Sequence, residues 1–143
     1  MRYGRTFVGL ALAFTLASVP SRTALAASSG TAVIAKINQL RKKANLPPIA
    51  AFADLTDDAE THSAAMARRG AVFHHPDLRD VTSGYTVLTQ FEARAHTLSQ
   101  ALDGAVASAE HHKQIYGDYD RIGVGVSESG GFVYVTWFFM KTR

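Results

Sequence analysis

The segment from Phe132 to Met140 constrains the fold more than any other, because it is typical of a β-strand with large apolar side chains on both faces. An alternating segment with Ile122, Val124 and Val126 on one face precedes it, and the turn residues 127–131 join the two. A strand that is apolar on both faces is buried only if helices cover the sheet from both sides. We therefore predict an α+β fold, a three-layered α/β/α sandwich with a central antiparallel sheet.

Helical spacing of apolar residues indicates the covering layers. The predicted helices run from Ser29 to Ala44, from Thr56 to Gly70, and from Thr97 to about Lys113. Pro47 and Pro48 prevent continuation of the first helix, and the basic run Arg41-Lys42-Lys43 is interpreted as its solvated last turn. Residues 76–90 are predicted to form a loop with one short strand at Tyr85 to Leu88.

The N-terminal segment has the three parts of a secretory signal peptide. Arg2 and Arg5 precede an apolar run at residues 6–19, and Ala24-Leu25-Ala26 supplies a small-residue cleavage site. A helix that spans a bilayer needs about 20 apolar residues, so this run fits a cleaved signal better than a stable anchor, although an uncleaved anchor stays open. We predict a signal peptide at residues 1–26, a single domain at 27–143, and a secreted or periplasmic protein.

Removal of residues 1–26 would take away three arginines and no acid, which leaves 15 − 3 = 12 basic and 12 acidic side chains. The net charge is then about zero, and the one basic cluster, Arg41-Lys42-Lys43, is interpreted as a helix end, so we expect no binding to nucleic acid. The chain has no cysteine, so disulfides, a thiol nucleophile and zinc–thiolate sites are excluded. Packing alone must stabilise the domain, which we expect to be a monomer without a stable membrane anchor.

Two histidine pairs, His74-His75 and His111-His112, each follow or end a predicted helix. They belong to a series of short motifs in fixed order that covers nearly all of residues 32–140. The motifs are Ile37 to Arg41 with Asn45 to Ile49, Leu55 to Ala59, Met66 to Gly70, Phe73-x-His75, Ser108-x-x-His111, Asp118 to Gly125, and Tyr134-x-Thr136-x-x-Phe139. In this order they resemble the CAP superfamily of cysteine-rich secretory proteins, antigen 5 and pathogenesis-related 1, in its short cysteine-free bacterial form.

This resemblance implies an α/β/α sandwich with a cleft that holds two histidines and acidic residues, which bind a divalent metal in some members. His75 and His111 take the two histidine positions. The glutamate of the family's G-E-N-[IV]-A phrase falls on Gln90 or its neighbour Thr89, the nearest carboxylate is Glu92, and Ser108 stands near the second acid. The implied ligand-binding cleft is therefore His75, His111, Ser108, Gln90 and Glu92, with one carboxylate replaced.

Two imidazoles and a carboxylate would begin a site for a divalent metal such as zinc. His75 and His111 are the candidate metal ligands, and Glu92, Glu110 or Asp77 are alternatives for the third. Without a metal, the two histidines would hydrogen-bond each other, Ser108 or a backbone carbonyl. His62 lies on the predicted buried stripe of the second helix and is interpreted as a core residue.

Three functions stay open from the sequence. The first is noncatalytic binding of a cell-wall fragment, a lipid or a small polar molecule in the cleft. The second is a metal- or histidine-dependent hydrolase, for which Ser108 lies one helical turn from His111, although no G-x-S-x-G or H-E-x-x-H motif is present. The third is an interaction module with a vestigial cleft. We favour the noncatalytic interpretation because a carboxylate of the implied site is replaced.

Overall fold

The computed structural model describes residues 22–143, with side chains from Ser29 onward. The helices are α1 (Arg22–Lys43), α2 (Ala53–Arg69), α3 (Leu98–Ala107) and α4 (Ala109–Ile115), and the strands are β1 (Ala50–Ala51), β2 (Tyr85–Ala95), β3 (Arg121–Ser129) and β4 (Phe132–Thr142). Most of the predicted signal peptide, residues 1–21, lies outside the described residues, and its cleavage stays a prediction. No helix within residues 22–143 is both long and apolar enough to cross a membrane.

The four strands form one sheet in the order β1-β3-β4-β2. β4 pairs antiparallel with both β3 and β2, whereas the short β1 pairs parallel with β3. The predicted antiparallel sheet is thus confirmed for its three long strands, and β1 adds a parallel pair at one edge.

Strand β4 is buried on both faces, which confirms the three-layer prediction. Val135, Trp137 and Phe139 pack with α1, α3 and α4 in the larger core cluster. Phe138 and Met140, which alternate with them, face the other side of the sheet and belong to a second cluster with Leu55 and Ala59 of α2.

Helix α2 lies unusually close to β3 because two residues of β3 have no side chain. A Cβ atom placed on Gly123 would come within 3.0 Å of backbone atoms of Leu55, and one on Gly125 would do the same at Ala59. Ser63, one turn further along α2, donates a hydrogen bond of 2.9 Å to the Gly125 carbonyl. The helix therefore rests directly on the main chain of the sheet.

Helices α1 and α2 start earlier than predicted, at Arg22 and Ala53, and two other predicted elements differ more from the structure. The short strand at Tyr85 to Leu88 is an 11-residue edge strand, because its pairing with β4 continues to Ala95. The third helix is two helices, since Ser108 has extended backbone angles between α3 and α4. The Ser108 amide still donates to the Gly104 carbonyl, and the Ser108 carbonyl accepts from the His112 amide. Helix α3 therefore ends and α4 begins at Ser108 without the loss of either backbone hydrogen bond of that residue. For β2, pairing with β4 outweighed the loop-like local sequence.

The interpretation of Arg41 as solvated is wrong, since only 2% of this residue is exposed. Its guanidinium donates to the carbonyls of Pro47 at 2.9 Å, Ile115 at 2.8 Å and Gly117 at 2.8 Å. Burial lowers the pKa of Arg41 from its usual value, and the charge of Asp118 opposes that shift. Arg41 therefore fastens the end of α1 to the end of α4.

Candidate functional site

Strand β2 carries the candidate site because its two faces serve different layers. Its register places Gln90 beside Phe138 and Glu92 beside Thr136, on the face covered by α2. Phe91 lies on the opposite face and stacks on Trp137 with ring centroids 4.6 Å apart. Polar and apolar residues alternate strictly from Gln90 to Ala95, which is a strand pattern that the predicted short strand did not include.

Glu92 is the central group on the α2 face, and its side chain is fully buried. One carboxylate oxygen, Oε2, lies 2.6 Å from Nδ1 of His74, whose side chain is 78% exposed. Burial raises the pKa of Glu92, and the hydrogen bond and charge of His74 oppose that rise. The other oxygen, Oε1, has no hydrogen-bond partner among the described residues.

His62 of α2 forms the buried wall of the site. Its Nε2 lies 2.8 Å from the carbonyl of Phe73 and 4.0 Å from Oε1 of Glu92. With its proton on Nε2, His62 donates to the Phe73 carbonyl and fixes the chain where it leaves α2. This agrees with its interpretation as a core residue.

His75 is held through its backbone. Its amide donates to Oε1 of Gln90 at 2.8 Å, and Nε2 of Gln90 donates to the His75 carbonyl at 3.4 Å. The His75 ring is half-buried, with Nε2 at 3.3 Å from Oδ2 of Asp58 and its centroid 5.4 Å from that of His62. Gln90 thus positions the histidine loop rather than a ligand.

His111 of α4 approaches β2 from the other face. Its ring lies against Phe91 with centroids 3.6 Å apart. Burial lowers the pKa of His111, the charge of Glu110 opposes this, and the charge of His74 adds to it. On the same helix, Gln114 donates to Oγ1 of Thr89 at 2.8 Å and to the Gln90 carbonyl at 3.1 Å, which binds α4 to the strand.

The structure thus brings some predicted site residues together and leaves others apart. Gln90 and Glu92 flank the His74-His75 loop, whereas the rings of His75 and His111 contact side chains on opposite faces of the sheet, Phe138 of β4 and Phe91 of β2. Ser108 lies at the α3–α4 break, where its side chain makes no capping hydrogen bond to α4. Among the alternative third ligands, Asp77 is paired with Arg79 at 2.6 Å.

In the described part of the chain, residues 22–143, no three His, Cys, Asp or Glu side chains are placed to hold a metal ion together. The carboxylate of Glu92 already bonds His74, and Nε2 of His75 lies against Asp58. Zinc binding by His75 and His111 stays a prediction that needs a titration.

His74 is the residue that the motif reasoning passed over. The resemblance assigns the role to the second histidine of the pair, and nothing in the sequence shows which ring of two neighbours meets a carboxylate. The only available signal was that His74 adjoins His75, a residue of the predicted site that also contains Glu92.

Residues 34–141 match the profile of the cysteine-rich secretory protein family, abbreviated CAP. The chain belongs to this family. The matched region lies inside the domain predicted at residues 27–143, and it includes every site residue described above. The search of curated proteins found no match to this CAP chain.

Solved structures show the same fold at low sequence identity. An outer surface protein of Borrelia burgdorferi superposes with a TM-score of 0.71 at 16% identity, over 79% of this CAP chain and 92% of the other. An extracellular SCP-domain protein of Bacillus anthracis gives 0.74 at 22% identity, over 87% and 45%. A cysteine-rich secretory protein of Staphylococcus aureus gives 0.69 at 19%, over 82% and 39%. The chain thus spans less than half of the last two proteins.

Proposed function

We propose that this CAP domain is exported and binds a cell-wall glycan fragment, without catalysis, at the exposed edge of His74. The single observation that carries the proposal is the 2.6 Å contact between the buried Glu92 carboxylate and Nδ1 of an imidazole that is 78% exposed. The solved structures with this fold include outer-surface and extracellular proteins, which supports export.

The pair prepares His74 for a polar ligand. A carboxylate at Nδ1 favours the tautomer with its proton on that nitrogen, so Nε2 keeps a lone pair. Nε2 has no hydrogen-bond partner within residues 22–143, and the ring faces solvent. It therefore offers an acceptor to a sugar hydroxyl or amide, in an orientation that Glu92 fixes in advance.

The absence of a placed nucleophile favours binding over hydrolysis. Ser108, the serine considered for a hydrolase, lies at the start of α4, which approaches β2 from the face opposite Glu92. A carboxylate–imidazole pair alone resembles the orienting half of a serine-hydrolase triad. The remaining catalytic alternative is His74 acting as a general base on water.

Titration with a soluble fragment of N-acetylglucosamine and N-acetylmuramic acid, followed by calorimetry and by the His74 imidazole NMR signals, tests this proposal. We expect saturable binding in wild type and a loss of about 2- to 10-fold in His74→Ala, because a hydrogen bond between neutral groups contributes about 0.5–1.5 kcal/mol. Glu92→Gln should weaken binding less. His112→Ala is the matched control, since His112 is exposed and stacks on Tyr116.

Two results would count against the proposal. Equal affinity of wild type and His74→Ala would remove His74 from the binding site. Cleavage of the fragment that depends on His74 would instead establish the hydrolase. A parallel zinc titration of wild type and the double variant His75→Ala/His111→Ala tests the metal prediction, which identical null isotherms would remove.

A further inference from the structure

A surface of two arginines and two phenylalanines adjoins one end of the sheet. Cζ of Arg69 lies 4.7 Å from the ring centroid of Phe73, and Cζ of Arg94 lies 3.6 Å from that of Phe132. Both rings pack on the same small cluster of Met66, Ala67 and Tyr134, which makes the surface continuous. We call these four residues the Arg–Phe surface.

The charges of this surface are unpaired within residues 22–143. Neither Arg69 nor Arg94 has a carboxylate within 4.0 Å, whereas Arg79 and Lys141 are paired with Asp77 and Asp118. A guanidinium on a ring face keeps N–H groups at its edge, in the fork geometry that matches phosphate. Arg94 uses one of these in a 3.5 Å hydrogen bond to the Gly70 carbonyl.

An exposed apolar side chain stands next to the Arg–Phe surface. Val72 precedes Phe73 in the loop after α2, and it is 46% exposed. Val87, with the same 46%, is the other large exposed hydrophobic residue of the described chain, and it lies near the start of β2. Phe73 and Phe132 are themselves only half-buried.

We propose that the Arg–Phe surface docks the protein on an anionic phospholipid membrane. Arginine binds lipid phosphates, while apolar side chains beside it enter the headgroup boundary. A soluble polyanion would use the arginines but would gain nothing from Val72. With 12 basic and 12 acidic side chains in residues 27–143, overall charge provides no attraction, so the local arrangement has to supply it.

The test is cosedimentation of the exported protein with vesicles of phosphatidylcholine containing phosphatidylglycerol, against vesicles of phosphatidylcholine alone. We expect binding only to the anionic vesicles, weakened by salt. Arg69→Gln/Arg94→Gln should reduce affinity about 25-fold, at about fivefold for each arginine near the surface. The control Lys42→Gln/Lys43→Gln removes equal charge from exposed lysines at the end of α1, and it should bind like wild type.

A second pair of variants tests the apolar part. Val72→Asp should lose vesicle binding, whereas Val87→Asp, at a site of equal exposure, should keep it. His74→Ala should also keep it, which separates this inference from the proposed glycan site. Residues 1–21 are the same in every variant, so binding through that segment would not change between them.

Three results would overturn the inference: no binding to anionic vesicles, equal losses in the arginine and lysine double variants, or equal losses in the two valine variants. Binding to soluble polyphosphate without binding to vesicles would also overturn the membrane assignment. Circular dichroism of each variant checks that the fold is intact.

Discussion

Replacement of Arg41 by methionine is the sharpest test of how α1 and α4 are joined. Methionine keeps the apolar stem and removes the guanidinium, so the carbonyls of Pro47, Ile115 and Gly117 lose their donor. Hydrogen bonds to a charged group contribute about 1.5–3 kcal/mol each, which gives a gross loss of about 4.5–9 kcal/mol for three.

The net loss is smaller because methionine avoids the cost of burying a charge. We expect the free energy of unfolding to fall by about 3–5 kcal/mol, because each of the three carbonyls left without a donor costs about 1–3 kcal/mol and part of this is offset by the removed charge. That is a large share of the roughly 5–15 kcal/mol that stabilises a typical domain.

Urea unfolding followed by circular dichroism measures this change. With a slope of about 1–3 kcal/mol per molar urea, the midpoint should fall by about 2 M at an unchanged slope. Lys42→Met, at the exposed neighbouring position, should stay within about 0.5 kcal/mol of wild type. If Arg41→Met shifts the midpoint no more than Lys42→Met does, the three carbonyls do not depend on Arg41.

Two further predictions concern packing and charge. Gly125→Ala should lower the free energy of unfolding by about 1–3 kcal/mol or more, because its methyl group would overlap the Ala59 backbone. Gly104→Ala, in open space within α3, should raise the free energy of unfolding by about 0.5–1 kcal/mol. Thermal unfolding measures both changes, and a neutral Gly125→Ala would contradict the close packing. Burial raises the native pKa of Glu92 above its ordinary 4.5, so the folded state binds this proton more tightly, and the Glu92 contribution to stability falls as pH rises from about 4.5 through the native pKa. Urea titrations at several pH values measure the free energy of unfolding of wild type and of Glu92→Gln, and the difference between the two should decline over that pH range. A flat or rising difference would contradict the prediction.

The three layers were predictable because nearly every residue of β4 from Phe132 to Met140 is apolar. Large apolar side chains at consecutive positions such as Trp137, Phe138 and Phe139 leave no face for water, so helices had to cover both sides. Gly123 and Gly125 were quoted in the hairpin motif, but their role in receiving α2 depends on a helix far away in sequence.

The site was harder to predict because its residues act across the strand rather than along the chain. Gln90 and Glu92 alternate with Phe91, so the strand period is present in the sequence, but the predicted strand stopped at Leu88 and missed it. The choice between His74 and His75 depends on the hydrogen bonds between the Gln90 side chain and the His75 backbone, which no local pattern shows. The interpretation of Arg41 as solvated was wrong for a similar reason, since its acceptors lie up to 76 residues away in sequence.

Gly123 and Gly125 of β3 affect Glu92, which lies two strands away on β2. A methyl group at Gly123 or Gly125 would push α2 outward, and the wedge so opened would admit solvent beneath His62. Contact with water would return the pKa of Glu92 toward that of a free carboxylic acid and would weaken its hydrogen bond to His74. The pairing of Glu92 with His74 therefore depends on how closely α2 packs on β3.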